Sequence, residues 1–190
     1  MPVTTALVVS MFLVGSIAPA QERVRLDGSA SDPRVPPAGT RAAAIVWLFT
    51  SSDCPVSNRY APEVRRLAAR FGPQGVVFRL IYPNPRETPA TILEHMTAFA
   101  YAGATQAFHD PGQKLARLAG VTVTPEAAVY AGGRIVYRGR IDDRYVDLGR
   151  ERPAPTVHDL ADALSAVVSG RPVLTPATQA VGCFIADFAR

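Results

Sequence analysis

The chain has 190 residues, of which 48% are hydrophobic, and this length and composition suit one domain with a substantial core. The formal net charge is +4, but the basic residues are spread along the sequence and alternate with acidic ones. Residues 138–152 contain five arginines and four acidic side chains, so they form no continuous positive stripe that could follow a phosphate backbone. We therefore expect no nucleic-acid partner.

The first segment has the features of an export signal. Residues 1–20 carry no charge and end in Ala18-Pro19-Ala20, a small-x-small pattern typical of signal cleavage sites. The usual basic start is missing, so a short membrane anchor or a misplaced start codon remains an alternative, although the segment is marginal in length for a spanning helix. No later stretch is apolar enough to span. We expect a secreted or periplasmic protein in which residues 21–40 are a polar lead-in.

The folded domain is predicted to begin with a strand, a helix and a second strand. Residues 42–49 form a continuous apolar run, as expected for a strand covered on both faces. Residues 55–71 have apolar side chains at helical spacing, and Pro62 should kink this helix. Residues 75–82 form the next apolar strand. This order makes the two strands parallel, so the loop at residues 83–87 should share one sheet edge with the residues that follow the first strand.

The later elements finish with a hairpin and a helix. Asp110 should cap a helix that ends at Gly120, and Gly132-Gly133 is a two-residue hairpin signal. The other predicted elements are a helix at 89–101, a strand at 106–109, hairpin strands at 126–131 and 134–141, and a closing helix at 157–168. Residues 171–190 should run as an extended tail.

Cys54 stands at the junction of the first strand and the first helix. A thiol at this place lies near the free amides and the positive dipole end of the helix, which favour the ionised sulfur. Asp53 and Ser57 add polar neighbours, and Pro55 is a favourable first helical residue. The alternative is an ordinary buried cysteine. We favour the reactive cysteine.

The element order and two motifs resemble the thioredoxin fold. The segment FTSSDCPVS, followed by Pro62-Glu63, looks like the active-site turn and kinked first helix, and Val123-Thr124-Pro125 looks like the loop that carries the cis-proline of that fold. The resemblance covers roughly residues 42–170. It is strongest to the redoxin group, which includes the alkyl hydroperoxide reductase and thiol-specific antioxidant (peroxiredoxin-like) proteins, and to exported thioredoxin-like oxidoreductases. It implies an α/β, thioredoxin-like three-layer fold, with a central mixed sheet flanked by helices, at residues 41–170.

The positions around Cys54 partly depart from the patterns of these families. Ser57 stands where the oxidoreductases have the second cysteine of Cys-x-x-Cys, so no resolving thiol is supplied locally. Asp53 replaces the tryptophan common in thioredoxins, and its carboxylate should hold the Cys54 pKa up. Ser51 matches the Thr or Ser that peroxiredoxins place three residues before the peroxidatic cysteine, whereas Trp47 replaces their proline.

Cys183, in the tail at residues 171–190, is the candidate partner of Cys54. The closing helix carries the chain about 18 Å from the active-site edge. The steps from Gly170 to Cys183 can span up to about 43 Å when extended, so the tail is long enough to return. Such a disulfide would either cycle during catalysis or be a permanent structural bond.

The topology also predicts that residues 141–156 overhang Cys54 if the hairpin runs antiparallel to the first strands. Arg140 and Arg144 are then candidates to lower the cysteine pKa or to orient a peroxide. The alternative is ordinary surface pairing with neighbouring aspartates.

Together these features predict an exported thiol-dependent oxidoreductase that acts on disulfides or peroxides. Its partners would be that substrate and an external thiol reductant that resolves Cys54 if the tail does not. We expect no cofactor and no bound metal. The candidate catalytic residues are Cys54, Cys183, Pro125, Ser51, Ser57 and Arg140.

Two alternatives belong to other functional classes. The two cysteines and one of His95, His109 or His158 could form a soft set of ligands suited to Cu(I), as in exported thioredoxin-like proteins that deliver copper. The other alternative is a catalytically silent binding module held by a permanent disulfide.

Overall fold

The computed structural model describes residues 24–25, 34–37, 39–101 and 103–185. The predicted signal segment, residues 1–20, lies outside the described residues, and the predicted division of the chain into segments stays a prediction. The strands are β1 (Val24–Arg25), β2 (Ala44–Phe49), β3 (Val76–Tyr82), β4 (Gln106–His109), β5 (Val123–Thr124), β6 (Glu126–Ala131), β7 (Arg134–Gly139), β8 (Tyr145–Asp147), β9 (Arg150–Glu151) and β10 (Cys183–Phe184). The α-helices are α1 (Pro55–Arg59), α2 (Ala61–Phe71), α3 (Pro89–Ala98), α4 (Lys114–Ala119) and α5 (Asp159–Val168).

Six strands form one mixed sheet in the order β1-β4-β3-β2-β6-β7. The pairs from β1 to β2 are parallel, whereas β6 is antiparallel to β2 and β7 is antiparallel to β6. The parallel β2–β3 pair and the β6–β7 hairpin were predicted from the sequence. The short strand β1 was not predicted, because its segment is polar and has no strand-like pattern. The strands β5 and β10, and likewise β8 and β9, form separate two-stranded sheets.

The central strand β2 is buried on both faces, and its side chains alternate between two cores. Val46 and Leu48 belong to a core with α2, α3 and α5, whereas Trp47 and Phe49 belong to a second core with α4. The sheet is therefore the middle of three layers. This explains why β2 is a continuous apolar run without polar alternation.

The predicted kink at Pro62 appears as a break into two helices. The first helix ends at Arg59, and α2 begins at Ala61, with Tyr60 capping both. Proline has no amide hydrogen, so Pro62 cannot donate to the carbonyl of Asn58, and the helical ladder is interrupted there. The break turns α1 into a short separate element that carries Cys54 at its start.

The predicted start of α4 at Asp110 is wrong. The helix begins at Lys114, and the Asp110 carboxylate reaches across the intervening turn to accept hydrogen bonds from the amides of Lys114, Leu115 and Ala116. Asp110 therefore satisfies the free amides of the helix, but from outside its first turn. Helix α3 also ends earlier than predicted, at Ala98, and the closing helix begins later, at Asp159.

The peptide bond between Thr124 and Pro125 is cis, as the resemblance implied. It lies between β5 and β6, and β6 enters the sheet beside β2. With the strand order and the helices on both faces, this arrangement is the thioredoxin-like fold, and the predicted fold class is confirmed. Within the part of the chain that the structure describes, no helix combines the length and apolar character needed to cross a membrane.

Helix α5 contributes fully buried side chains to the larger core. We expect Leu164→Ala, at a residue that is 0% exposed, to lower the free energy of unfolding by about 2–5 kcal/mol, because it removes apolar contacts and leaves a cavity. The matched control, Leu174→Ala, lies in the tail at 91% exposure and should change stability by no more than about 0.5 kcal/mol. Urea unfolding measures both, and equal effects would contradict this packing of α5.

Candidate active site

Cys54 is the N-cap residue of α1, and its sulfur takes the place of a capping oxygen. The Ser57 amide donates to Sγ over 3.5 Å, and when protonated the thiol donates to the Thr124 carbonyl over 3.1 Å. The residue is only 1% exposed. The sequence correctly located Cys54 at the start of a helix. It did not reveal that the sulfur would be covered.

The cover is the C-terminal tail. The tail first passes along the edge of β7, where the Arg138 amide donates to the Pro176 carbonyl over 2.9 Å and the Thr178 amide donates to the Arg138 carbonyl over 3.0 Å. It then forms β10, which pairs antiparallel with β5 in the register Cys183 opposite Thr124. This pairing brings Cys183 to Cys54, and both cysteines are free thiols.

Gly182 makes this close approach possible. A Cβ atom at Gly182 would lie 2.1 Å from the Thr124 carbonyl oxygen and 2.6 Å from its carbon, distances that a side chain cannot occupy. The backbone of the tail therefore lies directly on the strand that precedes the cis-proline. Any larger residue at this position must lift the tail off that strand.

The two thiols have opposite electrostatic environments. Burial alone would raise the pKa of Cys54, but its contacts with the Cys183 thiol, with the amide of Ser57 and with Thr124 outweigh burial and bring the pKa below the ordinary value of 9.0. The pKa of Cys183 is raised to about 12 by burial, by its hydrogen bond to Cys54 and the charge there, and by the charge of Asp53. Cys54 is therefore the sulfur that ionises, and Cys183 is the thiol that donates to it.

Asp53 does not act as the sequence suggested. We expected its carboxylate to hold the Cys54 pKa up, and this is wrong because that pKa is lowered. The Asp53 carboxylate instead accepts a hydrogen bond from the Ser51 hydroxyl over 2.5 Å. Its negative charge raises the pKa of Cys183. The two predicted serines thus have different places: Ser51 orders the turn, whereas Ser57 contacts the sulfur.

Glu87 is a buried acidic residue of this turn that the sequence analysis did not single out. It is 6% exposed, its Oε1 accepts the Ser52 amide at 2.6 Å, and the Ser51 hydroxyl lies 3.4 Å from the same oxygen. Burial raises the pKa of the Glu87 carboxyl. The available signal was the topology, which placed the loop at residues 83–87 and Cys54 at one sheet edge, as the structure confirms.

A second side chain holds the same turn from the helix. The Asn58 amide donates to the Ser52 carbonyl over 3.1 Å, and the Asn58 oxygen lies 2.8 Å from Nε2 of His95. The other ring nitrogen of His95 lies 2.8 Å from the Tyr82 hydroxyl, and burial lowers the pKa of the ring. His95 is therefore a neutral member of the scaffold behind the turn.

The structure does not bring Arg140 or Arg144 to the cysteines. The Arg140 guanidinium pairs with Asp159 at 2.7 Å, and the Arg144 amide donates to Asp142. Residues 141–156 instead pack against α1, through an Arg59–Glu151 ion pair at 2.6 Å. The predicted overhang therefore covers the helix that follows Cys54. The alternative considered for these arginines was surface pairing with neighbouring aspartates, whereas Arg140 pairs with the buried Asp159 at the start of α5.

The histidines do not complete a copper site with the cysteines. His95 is engaged behind the turn, and His109 lies 3.2 Å from the Asn84 carbonyl. His158 lies near Glu63 and Asp142, and these three are the one group in the described ranges whose ligand atoms lie within 4.8 Å of one another. The geometry therefore gives the copper hypothesis no support.

A cavity of about 280 Å³ opens beside the two sulfurs. It lies between the active-site turn, the loop after β3 and the end of the tail, where Phe184 is 80% exposed. This volume is near the lower limit of about 300 Å³ for small-molecule sites. Its lining residues are Ser51, Asp53, Cys54, Pro83, Asn84, Arg86, Gln113, Thr124, Cys183, Phe184 and Ile185.

Two solved structures are similar in fold to this chain over about three quarters of its length. One is an uncharacterized conserved protein from Geobacillus kaustophilus, with 27% identity over 75% of this chain and 76% of that chain, and a TM-score of 0.65. The other is a hypothetical protein from Sinorhizobium meliloti 1021, with 27% identity over 76% of this chain and 79% of that chain, and the same TM-score. The predicted resemblance to thioredoxin-fold proteins is confirmed at the level of the fold.

More distant similarity includes a secreted disulfide oxidoreductase from Mycobacterium tuberculosis, with 18% identity over 68% of this chain and 83% of that chain and a TM-score of 0.44. Likeness at this level does not carry that activity over to this chain. No protein-family model matches the sequence, and neither does any curated protein. The function therefore has to be argued from the site.

The contact at Gly182 predicts a specific loss. We expect Gly182→Ala to displace the tail, because the new Cβ would overlap the Thr124 carbonyl, and so to expose Cys54 to alkylation by iodoacetamide. The control is Gly72→Ala, since a Cβ at Gly72 meets nothing within 4 Å and its φ of −54° suits any residue. Equal alkylation rates of Cys54 in the two reduced variants, measured by mass spectrometry, would contradict the placement of the tail.

The thiol–thiol contact predicts a pH effect. In the reduced protein the thiolate absorbance of Cys54 should appear with a midpoint below pH 9.0, because the folded state favours the ionised sulfur. Cys183→Ala removes the donor and should raise this midpoint, whereas Cys183→Ser keeps a hydroxyl donor and should raise it less. Ultraviolet titration measures both, and a midpoint in Cys183→Ala that equals that of the wild-type protein would show that the contact does not stabilise the thiolate.

Proposed function

We propose that the protein is an exported thiol-disulfide oxidoreductase in which Cys54 is the nucleophile and Cys183 is the resolving cysteine. The observation that carries the proposal is the pairing of β10 with β5, which sets Cys183 opposite Thr124, the residue whose carbonyl accepts the Cys54 thiol. Two thiols that are distant in sequence thereby border one cavity. The lowered pKa of Cys54 suits a nucleophile, and the raised pKa of Cys183 suits a thiol that stays protonated until it is needed. The export part of the proposal rests on residues 1–20 alone.

The first step uses the lowered pKa of Cys54. Its thiolate attacks one sulfur of a substrate disulfide, forms a mixed disulfide and releases the other substrate sulfur as a thiolate. Ser57 and Thr124 surround Cys54, so the turn itself holds the nucleophile in place. Ser51 does not contact the sulfur but donates a hydrogen bond to Asp53, the residue before Cys54. Pro125 lies directly after β5, the strand that pairs with the tail.

The second step uses Cys183. Once Cys54 is in the mixed disulfide it carries no charge, so one cause of the high Cys183 pKa disappears and the tail thiol can ionise more easily. The Cys183 thiolate attacks Cys54 Sγ, forms the Cys54–Cys183 disulfide and expels the second substrate thiolate. The substrate gains two electrons, the protein loses two, and an external thiol restores the reduced protein.

The tail must open before a substrate reaches Cys54, since that residue is 1% exposed. The strand β10 has two residues, and beyond it the Ile185 amide donates to the Thr122 carbonyl over 2.9 Å. Each such hydrogen bond contributes about 0.5–1.5 kcal/mol, so local opening costs a few kcal/mol, far less than unfolding the domain. The closed tail therefore protects the nucleophile and still permits turnover.

Disulfides are better supported as substrates than peroxides. The Ser51 hydroxyl, which matches a peroxiredoxin position, is directed to Asp53 and Glu87. Arg140, a candidate from the sequence to orient a peroxide, pairs with Asp159.

Cys54→Ser should abolish the reduction of insulin disulfides, because it removes the sulfur whose pKa is lowered and which attacks the substrate. Cys183→Ser should keep the first step and accumulate a mixed disulfide with the substrate, lowering turnover by about tenfold or more. Turbidity measures turnover, and non-reducing mass spectrometry measures the adduct. Circular dichroism checks that both variants fold.

The alternatives make opposite predictions in the same experiment. Full insulin reduction by Cys54→Ser would refute the proposal. A wild-type disulfide that resists excess dithiothreitol, without any turnover, would instead identify a structural bond in a silent module. Turnover of hydrogen peroxide but not of insulin would assign the site to peroxides.

A further inference from the structure

We propose that the external thiol that reduces the oxidised protein attacks Cys183 and not Cys54. This inference rests on the proposed cycling of the Cys54–Cys183 disulfide. It gives the two sulfurs different partners: Cys54 meets the substrate disulfide, and Cys183 receives the reductant. The tail cysteine is then the entry point for electrons as well as the resolving group.

Accessibility is the first reason. Cys54 is 1% exposed because the tail, Ser57 and Thr124 surround it, whereas Cys183 is half-buried. In the reduced protein the tail can lift away and uncover Cys54. In the oxidised protein the disulfide itself ties the tail to Cys54, so this opening is blocked by a covalent bond. The sulfur that an incoming thiol can reach is that of Cys183.

The route to Cys183 is the cavity beside it. This space of about 280 Å³ is bounded on one side by Cys183 and Phe184 and on the other by Asn84 and Arg86. Its size admits a low-molecular-weight thiol or a single cysteine side chain presented by a larger partner. Phe184, 80% exposed, adds an apolar surface at the rim.

The leaving group is the second reason. Thiol-disulfide exchange is faster when the departing sulfur has the lower pKa. Attack on Cys183 expels Cys54, whose sulfur already has the Ser57 amide as a hydrogen-bond donor. Attack on Cys54 would expel Cys183, whose thiolate is disfavoured by burial and by the charge of Asp53. Accessibility and leaving-group stability therefore select the same sulfur.

The atoms and electrons balance as follows. The reductant thiolate forms a bond to Cys183 Sγ, the bond between Cys183 and Cys54 breaks, and Cys54 leaves as a thiolate. A second reductant thiol then attacks the reductant sulfur of the mixed disulfide, forms the oxidised reductant and releases Cys183, which takes up a proton. Two thiols are oxidised to one disulfide, and the protein disulfide is reduced to two thiols.

Glutathione is a suitable probe because it is a small monothiol that leaves a mass label on the sulfur it attacks. The oxidised wild-type protein is mixed with excess glutathione and quenched with acid at short times, which protonates thiolates and stops exchange. The free thiols are then alkylated and the peptides mapped. We expect the earliest adduct to be on Cys183, with Cys54 alkylated, in about tenfold excess over the reverse pattern.

An early adduct on Cys54, or one divided equally between the two cysteines, would overturn the inference while leaving the proposed function intact. Failure of the untreated oxidised protein to contain a Cys54–Cys183 disulfide would instead refute the proposed cycle. Phe184→Ala provides a second measurement, since this exposed side chain borders the cavity next to Cys183. It should change the rate of adduct formation at Cys183 and leave the choice of sulfur unchanged, and a shift of the adduct to Cys54 would count against the inference.

Discussion

The pairing of the tail strand β10 with β5 is the interaction on which the site depends. It places Cys183 opposite Thr124 and against Cys54, and the absence of a side chain at Gly182 lets the two backbones approach. The burial of Cys54 and the split between the two pKa values both follow from it. A short antiparallel contact beside the cis peptide bond thus converts a turn with one cysteine into a site with two.

Hydrogen-bond donors, rather than the predicted arginines, favour the ionised form of Cys54. The Ser57 amide and the Cys183 thiol are held at the sulfur by the fold, and in a buried site such fixed donors are stronger than in water. Arg140 instead secures the start of α5 through Asp159. The same burial that strengthens these contacts also hides the sulfur. The tail must therefore move away before the ionised Cys54 can react with a substrate.

Much of the scaffold could be predicted because local periodicity determines it. The apolar runs of β2 and β3 and the glycine pair of the hairpin are recognisable in the sequence, and the break before Pro62 follows from the missing amide hydrogen. The ends of a helix were harder to predict where the capping side chain lies several residues away in the sequence. The start of α4 was misplaced because Asp110 caps the helix from across a turn, a geometry that neighbouring residue types do not specify.

The sequence by itself determined the fold class and the place of Cys54, since strand-helix alternation and a cysteine before Pro55 are local features. It left open whether Cys183 meets Cys54, because chain length permits a contact without requiring it. The tertiary structure decided that point, because the backbone at Gly182 packs directly against the Thr124 carbonyl. It also decided that Glu87 supports the active-site turn, whereas Arg140 pairs elsewhere with Asp159. These outcomes depend on which distant backbones and side chains pack together, and that is fixed only when the whole chain is folded.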